Sequence, residues 1–210
     1  MRRIHFIGGD SRHFSPRREV PPHAFHCAIN SGLEKGVEMS HGNLTKEVLQ
    51  NYVLSAVRMV YEKNNILIKN GANERCVVAH IFACLLGIMG REIGDLSLDF
   101  EYNRQGYSSE SKDMGEKKRR IVPDLVLHRR CTNDDNILVV EVKKNRTTRS
   151  RRKHDINKLE KMTLDPYNYQ FGLYLELESE QVVLTWFKNG RQLDKEPIKK
   201  PMINNIMRGI

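Results

Sequence analysis

Charged side chains interrupt two segments that otherwise read as buried β-strands. Residues 121–127 run Ile-Val-Pro-Asp-Leu-Val-Leu and residues 137–143 run Ile-Leu-Val-Val-Glu-Val-Lys. The turn-rich Thr132-Asn133-Asp134-Asp135 joins them into a hairpin. Residues two apart on a strand share a face, so Glu141 and Lys143 project together while Leu138, Val140 and Val142 face the other way. Pairing of Cys131 with Asn136 predicts Asp124 opposite Lys143 and Val126 opposite Glu141, with Asp124 one diagonal step from Glu141. A one-residue slip would separate the two acids onto opposite faces. Three charges on a buried face are costly unless something offsets them. Two carboxylates plus a backbone carbonyl suit Mg²⁺, which keeps waters and binds phosphate oxygens. A lysine beside such a site orients a water or neutralises charge developing on phosphorus. On spacing alone, a solvated cross-strand ion network accounts for the same residues.

Composition narrows the partners. The 210 residues carry a net charge of +9, with 39% apolar and 29% charged side chains. That length suits one domain with an appendage or two small ones, and the apolar share suffices for a core. The excess of base favours a polyanion, most simply nucleic acid. Cys27, Cys76, Cys84 and Cys131 show no C-x-x-C pairing, which predicts a reduced, cytoplasmic chain. The most apolar run, Cys76 to Gly90, is 15 residues long and contains His80, too short to span a bilayer. No apolar stretch follows Arg2 and Arg3, so no secretory signal is read.

Residues 1–38 hold four of the eight histidines and three prolines without apolar periodicity. They read as an irregular arm, or as a non-native extension ahead of a natural start at Met39. Residues 39–210 read as a single domain. Leu44, Val48, Leu49, Tyr52, Val53, Ala56, Val57, Val60 and Tyr61 recur at helical steps, predicting an amphipathic helix over 44–63. A second helix is predicted from Asn73 to Gly90, apolar on most faces and therefore buried, with Glu74 in its first turn and Cys76 and Cys84 as core thiols. Strands are predicted over 96–104, 121–130, 136–144, 169–177 and 181–188, and a mobile loop over 105–119. Asp155 is read as the cap of a short helix carrying Ile156, Leu159 and Met162.

Pro123-Asp124, sixteen intervening residues and Glu141-Val142-Lys143 resemble the signature of the PD-(D/E)XK nuclease superfamily, the restriction-endonuclease-like fold. Glu74-Arg75 with His80, Glu101-Tyr102-Asn103-Arg104 and His128-Arg129-Arg130 also resemble small standalone bacterial and phage members. The resemblance covers about residues 70–188. It implies an α/β fold with an αβββαβ core, a mixed central sheet flanked by helices, and metal-dependent hydrolysis of nucleic-acid phosphodiesters, DNA foremost. It further implies that Asp124, Glu141 and the Val142 carbonyl hold Mg²⁺ or Mn²⁺ and that Lys143 positions or activates the attacking water. Glu74 would hold a further water or ion; as a helix N-terminal acid it has an equally good structural explanation.

From Lys143 to His154 there are seven Lys or Arg and no acid. Lys144, Arg146, Arg149, Arg151, Arg152 and Lys153 are therefore candidate phosphate contacts in a basic loop, with salt-sensitive binding. Lys158 on the next helix is a further candidate, because that helix contributes accessory residues in the superfamily, while Gln170, at the head of its strand, is read either as pointing into the site or as structural. Cutting both strands of a duplex needs two sites, so a homodimer is expected, with the 44–63 helix as an available surface. Two rival readings are a catalytically idle nucleic-acid-binding module and an interaction protein with an incidental motif.

Overall fold

The computed structural model describes residues 44–90, 92–104, 112, 120–144 and 147–199. The N-terminal arm, most of the 105–119 loop and Arg146 lie outside the described residues. The first helix, α1 (Lys46–Lys69), is capped by Thr45, whose hydroxyl accepts from the Val48 amide. Asn64 leaves helical geometry, but the helix resumes as far as Lys69, past the predicted break. Asn73 caps α2 (Glu74–Met89) by accepting from the Arg75 amide. The strands are β1 (Ser97–Phe100), β2 (Leu125–His128), β3 (Asn136–Lys144), β4 (Phe171–Leu177), β5 (Gln181–Lys188) and β6 (Arg191–Lys199), with α3 (Arg149–Met162) between β3 and β4.

The six strands form one mixed sheet in chain order. All neighbours are antiparallel except β3 and β4, which run parallel because α3 carries the chain back across the sheet. Leu125, Leu127, Leu138, Val140, Val142, Leu173, Leu175, Leu184 and Trp186 pack with α1 and α2 into one apolar core. The opposite face, with Val126, Val139, Tyr174 and Phe187, packs against Leu159 and Met162 of α3. A side chain at Gly172 would meet Thr163, Leu159 and Phe187 at 3.2–3.4 Å, so glycine lets α3 approach β4 closely.

Several sequence expectations change. The α1 apolar stripe (Leu49, Val53, Ala56, Val57, Val60) is spent inside the core, so it is not the free dimer surface expected of it. The second helix is not buried all round: Val77, Val78, Ile81, Leu85 and Met89 face inward, while Cys76 and Leu86 are exposed, so Cys76 is no core thiol. The chain leaves β1 at Glu101, whose φ of 51° ends the extended run earlier than predicted. A sixth strand was not predicted. Its charged, Pro-containing sequence hides the pattern, but Asn189 and Gly190 (φ 50° and 70°) turn the chain back onto β5. No helix among the described residues is long and apolar enough to cross a membrane.

Candidate active site

Hairpin register brings the first two acids together. Leu125 pairs with Val140 and Val126 with Val139, which sets Asp124, one residue before β2, opposite Glu141. The predicted register is two residues off: the ladder closes with His128, not Cys131, opposite Asn136, a three-residue difference, and the bulge at Leu127/His128 takes one residue back. An even slip preserves the face, so Asp124, Glu141 and Lys143 still share the α3 side. Asp124 Oδ2 accepts from the Val142 amide at 2.7 Å. Val142 thus meets Asp124 through its N–H.

The third layer of the site comes from α3. That helix begins at Arg149, capped by the Thr148 hydroxyl accepting from the Arg151 amide, seven residues before the predicted start. Asp155 is therefore no cap. It lies mid-helix, buried, one turn from Lys158, and both face the sheet. Lys158 Nζ stands 2.7 Å from Glu141 Oε1 and 3.9 Å from Asp155 Oδ1, and donates to the Val122 carbonyl at 3.3 Å. Lys143 Nζ lies 2.9 Å from Glu74 Oε1 and 3.5 Å from Asp155 Oδ2. The other Glu74 oxygen accepts from the Lys144 amide at 3.2 Å. Asp155 was the residue the sequence reading missed. Its signal is the Asp155-x-x-Lys158 spacing on the stripe that also carries Leu159 and Met162.

Electrostatics separate the members. Burial pushes the Glu141 carboxyl up to about 8 despite Lys158, with Asp124 adding to the rise. Burial also raises Asp124, against the opposing pull of the Val142 N–H, Lys143 and Lys158. For Lys143 burial favours the neutral amine, but Glu74, Asp155 and Asp124 together outweigh it and hold the ammonium above the ordinary lysine range. Lys143 is thus a fixed positive charge at neutral pH. The Lys158 ammonium pairs with Glu141 Oε1 at 2.7 Å and opposes the rise that burial imposes. Two neighbours in the same cross-strand row, Tyr174 opposite Glu141 and Thr185 opposite Tyr174, bury hydroxyls without a partner.

The basic candidates divide by location. Arg149, Arg151 and Lys153 are exposed on the first turns of α3, so the expected basic loop is largely helix. Arg152 turns inward to pair with the buried Glu176 at 2.8 Å, its guanidinium 5.4 Å from the Tyr174 ring centre. Lys144 donates to the Ala72 and Leu67 carbonyls, which fastens β3 to the link between α1 and α2. Gln170 stands at the other end of β4, beside Asn136, away from the site.

A separate polar cluster occupies the β1 side of the same sheet face. Asp99 binds Arg130 through both oxygens, and its Oδ2 lies 3.0 Å from His128 Nε2. Lys112, 1% exposed, donates to the Tyr169 hydroxyl at 2.9 Å and sits over the Tyr102 and Tyr169 rings. It contradicts the reading of 105–119 as wholly mobile, because this one residue is a buried anchor with backbone bonds to Asn103 and Ile121.

No model of a known protein family matches the chain, and no curated protein matches it either.

Proposed function

We propose that this chain is a metal-dependent nuclease that hydrolyses phosphodiester bonds, with DNA as the foremost substrate, on a restriction-endonuclease-like version of its α/β fold. The observation that carries the reading is the convergence of Asp124, Glu141 and Lys143 on one sheet face, with Glu74 closing the strand end. The donor set suits Mg²⁺ or Mn²⁺: both side chains are hard carboxylates, and Glu141 is buried among charged groups. Among the described residues no three His, Cys, Asp or Glu side chains converge on one point. The fit therefore rests on Asp124 and Glu141 with a main-chain carbonyl, the remaining positions falling to water, which Mg²⁺ retains.

When bound, the cation supplies Lewis-acid polarisation of a phosphoryl oxygen. The protein's own part is positional. Lys143, kept protonated, is suited to neutralise charge growing on phosphate oxygens and to orient a water, rather than to accept a proton. Glu74 and Asp155 fix its ammonium from two sides. Arg149, Arg151 and Lys153 supply exposed charge beside the site for the phosphate backbone.

The test is incubation of supercoiled, linear and single-stranded DNA with the protein in Mg²⁺ or EDTA, beside Lys143→Ala. Cleavage that requires both the metal and Lys143 is the expected result. Salt-dependent binding without cleavage would select the idle nucleic-acid-binding module instead, and neither binding nor cleavage would select an interaction protein.

A further inference from the structure

Lys158 occupies the place where a cation would serve Glu141. Its ammonium is surrounded by Glu141 Oε1 at 2.7 Å, the Val122 carbonyl oxygen at 3.3 Å and Asp155 Oδ1 at 3.9 Å. Glu141 and the Val122 main-chain carbonyl, with Asp124 opposite Glu141, form an oxygen set that also suits a hard divalent ion. Lys143 cannot take the same place, because Glu74 and Asp155 hold it.

We propose that Lys158 is a built-in occupant of the Glu141 cation position and withdraws from Glu141 when a divalent cation binds. The inference rests on the reading of this site as a metal centre. An ammonium and a divalent ion on one buried carboxylate repel strongly at short range, so the two compete. Asp155, one helical turn back, gives the displaced ammonium a second carboxylate on its own helix. The competition makes metal affinity a property of α3: any change that keeps Lys158 on Glu141 weakens the site, and any change that draws it away strengthens it. A phosphate at the site is one such change, since it offers the ammonium another anion.

The experiment titrates the full chain with Mn²⁺ alone, reading free Mn²⁺ by electron paramagnetic resonance. The proteins are the wild type, Lys158→Gln, Lys158→Met and the double variant Lys158→Gln/Glu141→Gln, each checked for folding by circular dichroism. The expected result is binding about tenfold tighter in Lys158→Gln than in the wild type, and lost in the double variant. Equal affinity in wild type and Lys158→Gln, both dependent on Glu141, would overturn this inference and leave the metal site standing. Weaker binding in folded Lys158 variants would overturn it also, by making Lys158 a support of the site. Absence of Mn²⁺ binding in every protein would overturn both the inference and the metal reading. A measurement on the wild type alone guards against misfolded variants: lysine acylation read by mass spectrometry. Lys158, 9% exposed, should label faster in saturating Mg²⁺, and an unchanged rate would count against displacement.

Discussion

The Lys143 ammonium lies 2.9 Å from Glu74 Oε1, while the other Glu74 oxygen accepts from the Lys144 amide, so one carboxylate joins the end of β3 to the first turn of α2. Glu74→Ala removes both contacts. The expected cost is about 1 kcal/mol, kept small by the partial exposure of Glu74. The Lys143 pKa should also move down from its elevated position. Urea denaturation measures the first effect, and NMR titration of the lysine side chains the second.

Asp124 has two separable duties. Its Oδ2 accepts from the Val142 amide, which an asparagine oxygen can also do, whereas only a carboxylate provides the anionic ligand. Asp124→Asn should therefore melt within about 0.5 kcal/mol of the wild type, and Asp124→Ala should lose about 1–3 kcal/mol. Both should lose Mg²⁺-dependent DNA cleavage by at least about 100-fold, a loss in the range seen on removing one transition-state-stabilising group. Full activity in folded Asp124→Asn would refute the site assignment.

Asp99 should make the protein acid-sensitive. Burial alone would raise its carboxyl, but Arg130 and His128 outweigh burial and hold it well below its ordinary 3.8. A depressed carboxylate stabilises the fold above the unfolded-state pKa, and that contribution fades as pH falls below about 4. Asp99→Asn is expected to cost about 2 kcal/mol at pH 7. The gap from the wild type should narrow progressively below pH 4, as urea midpoints at pH 7, 4 and 3 would show.

Lys112 also makes stability rise with pH, but because its charged form is disfavoured in the fold rather than favoured. Burial lowers its pKa from 10.5 to about 8. The folded state therefore binds fewer protons than the unfolded state between these values, and stability rises with pH across that window. Below pH 8 the cost of the buried charge is present in full. Relative to Lys112→Met, the wild type should gain up to about 3 kcal/mol between pH 8 and 10.5. Parallel stability profiles for the two proteins would show that Lys112 does not titrate in its buried place.

The exposed bases of α3 are predicted to act through charge alone. Arg149, Arg151 and Lys153 crowd the positive end of the helix dipole, where no acid stands in the first turn. Their triple replacement by alanine should leave stability unchanged or slightly raised. It should reduce the salt dependence of DNA binding by up to about 2.7 in the slope of log K against log salt, at about 0.9 per phosphate contact. Fluorescence anisotropy at several salt concentrations measures that slope, and an unchanged slope would place the phosphate backbone elsewhere.

How much of the site was legible in the sequence depended on the range of the forces involved. The β3 and β5 spans were readable because alternation and turn residues are local. Asp124 was placed on the face of Glu141 and Lys143 although the predicted register was two residues off, because strand side chains repeat every two residues. Asp155 was misread as a cap, since a capping acid and a buried mid-helix acid look alike until the true cap, Thr148, is seen. The sixth strand was missed because its pairing with β5 is set by the turn and the sheet edge rather than by apolar alternation.

The sequence by itself determined most of the strand and helix types and the shared face of Glu141 and Lys143, since backbone periodicity dictates both, while Asp124 joins that face through hairpin register. Only the tertiary structure decided what surrounds those residues. The crossover from β3 to β4 lays α3 over the sheet and puts Lys158 on Glu141. Packing of α2 on the other face brings Glu74 to Lys143 from 69 residues away. These pairings follow from burial and close packing between elements distant in sequence, to which local periodicity is blind. The same packing consumed the α1 stripe in the core and left the outer side of α2 in solvent.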